Sequence, residues 1–283
     1  MHKFKLLDGD GIGFVVLKVK NFSEMVAFYH NVLGLEVIQA EEDTASLGVN
    51  QRTLLMLQKV SNGVANPAAT GLYHLAFLLP TRKDLANILQ YLLVNDIPLT
   101  GGADHGYSEA LYLNDPEGNG VEIYWDKPIS EWDIRENGEV VGVTEPMDAE
   151  GLIQLSDENW QGFPAVSKIG HVHLKVADLV KTQEFYEDML GFSLKYNFGE
   201  QAKFLSSGTY HHHIGANTWS GNDLPAMKDT DLGLAYFSIE LQTEEFELLK
   251  QHLAKNNQKF DNSASDQIWM TDPNGINILI SHL

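Results

Sequence analysis

The sequence predicts an α+β fold built from four copies of one βαβββ unit, and three observations support that prediction. The stretch Ile12-Gly13-Phe14-Val15-Val16-Leu17-Lys18-Val19 reappears as Ile169-Gly170-His171-Val172-His173-Leu174-Lys175-Val176. At the same offset, Phe28-Tyr29 matches Phe185-Tyr186 and Leu33-Gly34 matches Leu190-Gly191. Gly71-Leu72-Tyr73-His74-Leu75-Ala76-Phe77 aligns with Gly233-Leu234-Ala235-Tyr236-Phe237-Ser238-Ile239. An Asp-Pro-x-Gly turn closes both even-numbered units, at Asp115–Gly118 and Asp272–Gly275.

Each element follows from its local pattern. Gly13–Val19 is a short β-rich run, and from Ser23 to Leu33 the residues Met25, Phe28, Tyr29 and Val32 recur at helical spacing. Gly34 stands where a helix end favours positive φ. Strands are expected near Glu36–Gln39, Thr44–Leu47 and Thr53–Gln58. After a connector from Ser61 to Thr70, the second unit has its first strand at Gly71, a helix over Arg82–Val94 and a final strand pair around the Asp115 turn, whose Pro and Gly positions that turn favours. The third unit repeats the first: strand Gly170–Val176, helix Leu179–Leu190, then strands near Ser193–Tyr196, Lys203–Leu205 and His212–Trp219. The fourth follows a connector over Gly221–Asp231, with its helix at Thr243–Lys255. A longer acidic segment carrying Pro128, Pro146 and Pro164 divides the chain. The expected organisation is residues 1–127 for the first two units, 128–167 as linker and 168–283 for the last two.

Composition bounds the function. The 283 residues suffice for two ordinary cores, and 43% hydrophobic with 20% charged residues is globular. A net charge of −20 repels phosphate backbones and anionic lipid, so nucleic acid and membrane are not expected partners. Homo-oligomerisation stays open. No stretch approaches 18 apolar residues and the N-terminal residues lack an apolar secretion core, which leads to an expected cytoplasmic location. With no cysteine, a metal could be held only by histidine and carboxylate.

The repeats have lost their histidines selectively. At the equivalent first-strand position the four units hold Phe14, His74, His171 and Tyr236; in the last strand the second unit has Glu122 where the fourth has Leu279. A single histidine in an apolar strand is usually a buried, hydrogen-bonded residue. Two at one repeat position, with an otherwise unexplained carboxylate in Val121-Glu122-Ile123-Tyr124, point instead to a metal. His173 shares a strand face with His171 and is expected to line the pocket or pack beside it. Seven of the eleven histidines (His74, His105, His171, His173, His211, His212, His213) fall in the two middle units.

Four βαβββ units with these residues resemble the vicinal oxygen chelate superfamily, which includes glyoxalase I, bleomycin-resistance proteins and type I extradiol dioxygenases. The likeness covers nearly the whole chain. It implies that paired units form two cupped, incompletely closed mixed β-sheet barrels with flanking helices. Pairing the second unit with the third would bring His74, Glu122 and His171 together as metal ligands. The sequence His105-Gly106, Tyr112, Glu122 and the run Tyr210-His211-His212-His213-Ile214-Gly215 resemble the extradiol dioxygenases of that family. The resemblance then implies Fe(II) as cofactor, a catechol and O₂ as substrates, His212 as acid–base catalyst, and Tyr112 and His105 as hydrogen-bond partners of the substrate. His211 or His213 could replace His212 if the strand register shifts by one. A glyoxalase-like lyase or isomerase and a metal-free small-molecule-binding protein remain alternatives on the same scaffold.

Overall fold

The computed structural model describes residues 4–261 and 264–282. The first unit contains β1 (Gly11–Val19), α1 (Phe22–Ala27), β2 (Glu36–Ala40), β3 (Thr44–Val49) and β4 (Arg52–Lys59); the second contains β5 (Gly71–Leu79), α2 (Arg82–Val94), β6 (Gly101–Asp104), β7 (Ser108–Asn114) and β8 (Gly120–Asp126). Between the halves lie β9 (Glu145–Pro146) and α3 (Ala149–Leu155). The third unit is β10 (Lys168–Lys175), α4 (Leu179–Glu184), β11 (Ser193–Phe198), β12 (Ala202–Ser206) and β13 (Ile214–Asn217). The fourth is β14 (Gly233–Leu241), α5 (Thr243–Lys255), β15 (Gln267–Thr271) and β16 (Asn277–His282).

Two mixed sheets result. One runs β15-β16-β14-β1-β4-β3-β2 and the other β11-β12-β13-β10-β5-β8-β7-β6-β9. The first unit therefore pairs with the fourth and the second with the third. At each centre two first strands lie antiparallel, β1 against β14 and β10 against β5, and each is flanked on its outer side by a parallel strand of its own unit.

Sequence chemistry explains the helices. Thr81 caps α2 by accepting from the Asp84 N–H, and Leu85, Ile88, Leu89 and Leu92 form its buried stripe. Asp178 does the same for α4 through the Val180 and Lys181 N–H groups. The helices expected at Ser23–Leu33 and Leu179–Leu190 are α-helical only in their first half; Phe28–Val32 and Phe185–Met189 form π turns. The wider turn carries the Tyr29 hydroxyl to Asp115, 2.9 Å away, in the Asp-Pro turn of the second unit. The x residue of each such turn reaches back in turn: Glu117 accepts from the Lys20 and Asn21 N–H groups, and Asn274 from the Ala177 N–H, at equivalent points ahead of α1 and α4. Each half is thus tied internally although its units pair in different sheets.

The segment between the halves is also structured. β9 adds to the edge of the nine-stranded sheet beside β6. α3 packs on α2, with Leu152 buried and Asn87 of α2 accepting from the Ser156 hydroxyl and the Asp157 N–H. Among the described residues no helix is long and apolar enough to cross a membrane.

Candidate metal centre

The nine-stranded sheet builds the site from three neighbouring strands. In the β5–β10 register His74 faces His173 and Ala76 faces His171, while in the parallel β5–β8 register Ala76 faces Glu122. Side chains on one face of adjacent strands converge. His74 Nε2 lies 2.9 Å and His171 Nε2 3.2 Å from Glu122 Oε2, and the two imidazole nitrogens are 3.2 Å apart. All three residues are buried, at 7%, 3% and 2% exposure for His74, Glu122 and His171.

This donor set fits a divalent cation. Burial pushes His171 down to about 4, against partial opposition from the Glu122 charge, so its imidazole is neutral at neutral pH. Burial raises the Glu122 carboxyl, but the adjacent His171 and His74 outweigh it and hold the group well below the usual carboxylate range. One ligand atom from each of the three side chains lies within 4.8 Å of the other two, close enough for one cation to take the place of the protons that otherwise link them. Two histidines and one carboxylate on one side of an ion, with other positions open, is the donor set of non-haem Fe(II) oxygenases.

The three atoms sit at the floor of a cavity of about 870 Å³, which His105, Tyr112, His173 and His212 also line. The His105 Nε2 is 2.6 Å from the Tyr112 hydroxyl and its Nδ1 is 2.8 Å from the Val143 carbonyl. A carbonyl can only accept, so His105 Nδ1 carries the proton and its Nε2 accepts the Tyr112 O–H. Burial, and then the Glu122 charge, raise the Tyr112 phenol well above its usual value, which keeps it protonated. Tyr112 faces Glu122 directly across the β7–β8 pair.

The three consecutive histidines diverge. His212 faces the cavity, its ring centroid 4.2 Å from that of His171, and burial holds it well below its usual value and neutral. His211 turns away, donates from Nε2 to Asp126 Oδ1 at 2.9 Å, stacks on Tyr107 and meets His212 Nδ1 at 2.7 Å. His213 points to the opposite side, where its Nδ1 accepts from the Ser206 hydroxyl at 2.8 Å and the Ser207 N–H. The strand expected over His212–Trp219 is accordingly confined to Ile214–Asn217; the histidines precede it in an irregular stretch whose side chains have other partners.

Two glycines make room. A Cβ on Gly170 would lie 1.7 Å from the Tyr124 hydroxyl, and one on Gly215 would press on the His173 ring at 2.9 Å. Sequence reasoning missed Asp126, Tyr107 and Val143. For Asp126 a signal existed, since it follows Glu122 and Tyr124 at the strand period of two. Tyr107 and Val143 sit on a hairpin turn and in the long connector, where no period applies.

Comparisons with known proteins identify the family and the fold. Residues 11–123 and 168–280 match the model of the Glyoxalase/Bleomycin resistance protein/Dioxygenase superfamily. The chain is 41% identical over 239 residues to a catechol-2,3-dioxygenase of Bacillus subtilis, covering 83% of this chain and 84% of that protein. It is 29% identical over 115 residues to a biphenyl-2,3-diol 1,2-dioxygenase of Rhodococcus globerulus, covering 40% of this chain and 60% of the other. Among solved structures, glyoxalase I from Zea mays shares the fold with a TM-score of 0.57 at 13% identity, over 97% of this chain and 92% of that one.

Proposed function

Because the chain belongs to the glyoxalase/bleomycin resistance/dioxygenase superfamily, we propose that it is an Fe(II)-dependent extradiol dioxygenase that opens the ring of a catechol with O₂. The observation that carries this reading is the convergence of His74, Glu122 and His171 beside both His212 and the Tyr112–His105 pair. An Fe(II) ion held by His74, Glu122 and His171 would supply chelation of both catechol oxygens and a site for O₂.

The chain's own groups divide the remaining work. His212, neutral and buried, can take a proton from the substrate at a ring nitrogen and return it as the ring opens. Tyr112 holds its proton and is oriented by His105, so its hydroxyl oxygen can accept from, or its O–H be shared with, a substrate oxygen over Glu122. Phe204, Tyr196 and Trp219 line the cavity and offer aromatic faces on which a substrate ring can stack. A glyoxalase-like reading would want a second carboxylate ligand, whereas Glu122 is the one acidic side chain among the described residues lining this cavity. We also retain the division into 1–127, 128–167 and 168–283, with both halves supplying ligands, and a cytoplasmic location consistent with the absence of cysteine.

The test is anaerobic reconstitution with Fe(II), addition of catechol, then air. A yellow ring-cleavage product with one iron per chain is expected. Iron bound at that stoichiometry with catechol left intact would overturn the dioxygenase assignment.

A further inference from the structure

The cavity contains one cation that the ring-cleavage reading does not use. His171, His173 and Lys175 alternate along β10 and all three line the cavity. Lys175 is half-buried, and its Nζ lies 3.5 Å from the Pro67 carbonyl, at the outer limit of a hydrogen bond. Other lysines find carboxylates, as Lys59 does with Asp43, Lys83 with Asp157 and Lys127 with Asp104. Among the described residues no carboxylate lies within ion-pair distance of Lys175, in a chain with 39 acidic and 19 basic residues. Desolvation alone lowers its ammonium pKa, with no acid nearby to offset the burial. A half-buried ammonium on the cavity wall without a counter-charge is free to pair with an anionic group of a ligand.

Size and reach agree. A cavity of about 870 Å³ exceeds what one ring occupies and lies in the range of sites for larger ligands. Four residues of strand separate Lys175 from His171 by about 13 Å at Cα, and the lysine side chain can fold back by up to about 6 Å. A ring held at the triad would therefore approach the ammonium through a substituent of about two to four atoms, running past Tyr73, His173 and Trp219, whose rings lie about 5 Å from one another.

Resting on the ring-cleavage reading, we propose that the substrate is a catechol whose ring carries a short chain ending in a carboxylate, and that Lys175 receives that carboxylate. Lys175 selects the substrate and takes no part in the chemistry.

The test compares 3-(3,4-dihydroxyphenyl)propanoate with its neutral amide. Binding to the Fe(II)-loaded protein is followed without oxygen by tryptophan fluorescence, since Trp219 lines the cavity. Wild type should bind the acid about tenfold more tightly than the amide, as befits one charge-assisted contact. In Lys175→Gln the acid-to-amide ratio should fall towards one, and Lys175→Arg should restore most of it. Equal binding of acid and amide by wild type, or a ratio unchanged in Lys175→Gln, overturns the proposal. Admission of air then tests the premise separately: binding that discriminates by charge without ring cleavage would leave Lys175 as an anion anchor and remove the dioxygenase reading.

Discussion

The two sheets of this molecule are built alike and equipped differently. In the nine-stranded sheet the three converging positions hold His74, His171 and Glu122; in the seven-stranded sheet the same positions hold Tyr236, Phe14 and Leu279. Their geometry is nearly conserved. The Phe14 and Tyr236 rings stand 6.1 Å apart, against 5.3 Å for His74 and His171. Ser238 faces Leu279 in the β14–β16 register as Ala76 faces Glu122 in β5–β8, and Trp269 faces Leu279 as Tyr112 faces Glu122. The backbone therefore requires no metal to bring three side chains together. Chemistry in one cup is a choice of side chains, and it carries the cost of a buried carboxylate and buried imidazoles that the other cup avoids with Leu279 and aromatic rings.

The comparison breaks most sharply if the charge is removed. Glu122→Ala deletes the anionic member of the proposed triad, and Fe(II) affinity and ring cleavage should each fall at least about 100-fold, since even the partners of ligands are worth about 10- to 100-fold. Normal iron content and turnover in this variant would show that the triad is not the metal site. The next largest effect separates binding from chemistry. His212→Phe should keep its iron while turnover drops by about 10²- to 10⁴-fold. His213→Phe should not share that loss, because His213 faces away from the cavity towards Ser206. A larger loss in His213→Phe than in His212→Phe would contradict the orientation of the histidine run.

Much of this was legible in the residues, for reasons the two cups make plain. Repeats survive where the backbone needs them, so Gly13 with Gly170 and the two Asp-Pro turns announced the units, and the bounds of α2 and α5 match their apolar periodicity. The partnering of units was legible only through chemistry: His74 and His171 would be unexplained apart. What escaped was whatever depends on contacts across the chain. The π turn at Phe28–Val32 carries Tyr29 to an aspartate far away in sequence, and helical spacing cannot report that. The roles of His211, His212 and His213 depend on Asp126, Ser206 and Tyr107, which a strand period cannot assign once the strand begins only at Ile214.

The comparison can be sharpened by equipping the second cup. Phe14→His, Tyr236→His and Leu279→Glu together place the same donor set on a backbone whose ring separation is within 1 Å of that in the first cup. Metal analysis should then find two ions per chain in place of one. The metal-free triple variant should lose about 3 kcal/mol or more, because a carboxylate replaces the buried Leu279. Excess metal should restore part of that stability. A variant that folds yet still binds one ion would mean that the supporting residues matter more than the three ligands.

A further expected difference concerns acid. Burial lowers His171 to about 4 and holds His173, His212 and His213 well below their usual value, and all four belong to the nine-stranded sheet or the histidine run beside it. In the unfolded chain a histidine titrates near 6.5. Between about 4 and 6.5 the unfolded state therefore binds protons that the folded state refuses, so stability is complete above that window and declines as pH falls through it. Phe14 and Leu279 have nothing to titrate there, and Tyr236 stays protonated throughout, its phenol raised further by burial. The metal-free protein should thus show a melting temperature that is level near pH 7 to 8 and falls progressively below about pH 6.5. His213→Gln should lessen the slope by up to one proton without touching the triad. Bound metal should raise the whole curve and steepen its acid limb, because protons then compete with the ion for His74 and His171. A metal-free melting temperature independent of pH down to 5 would show that these imidazoles are not held neutral by burial.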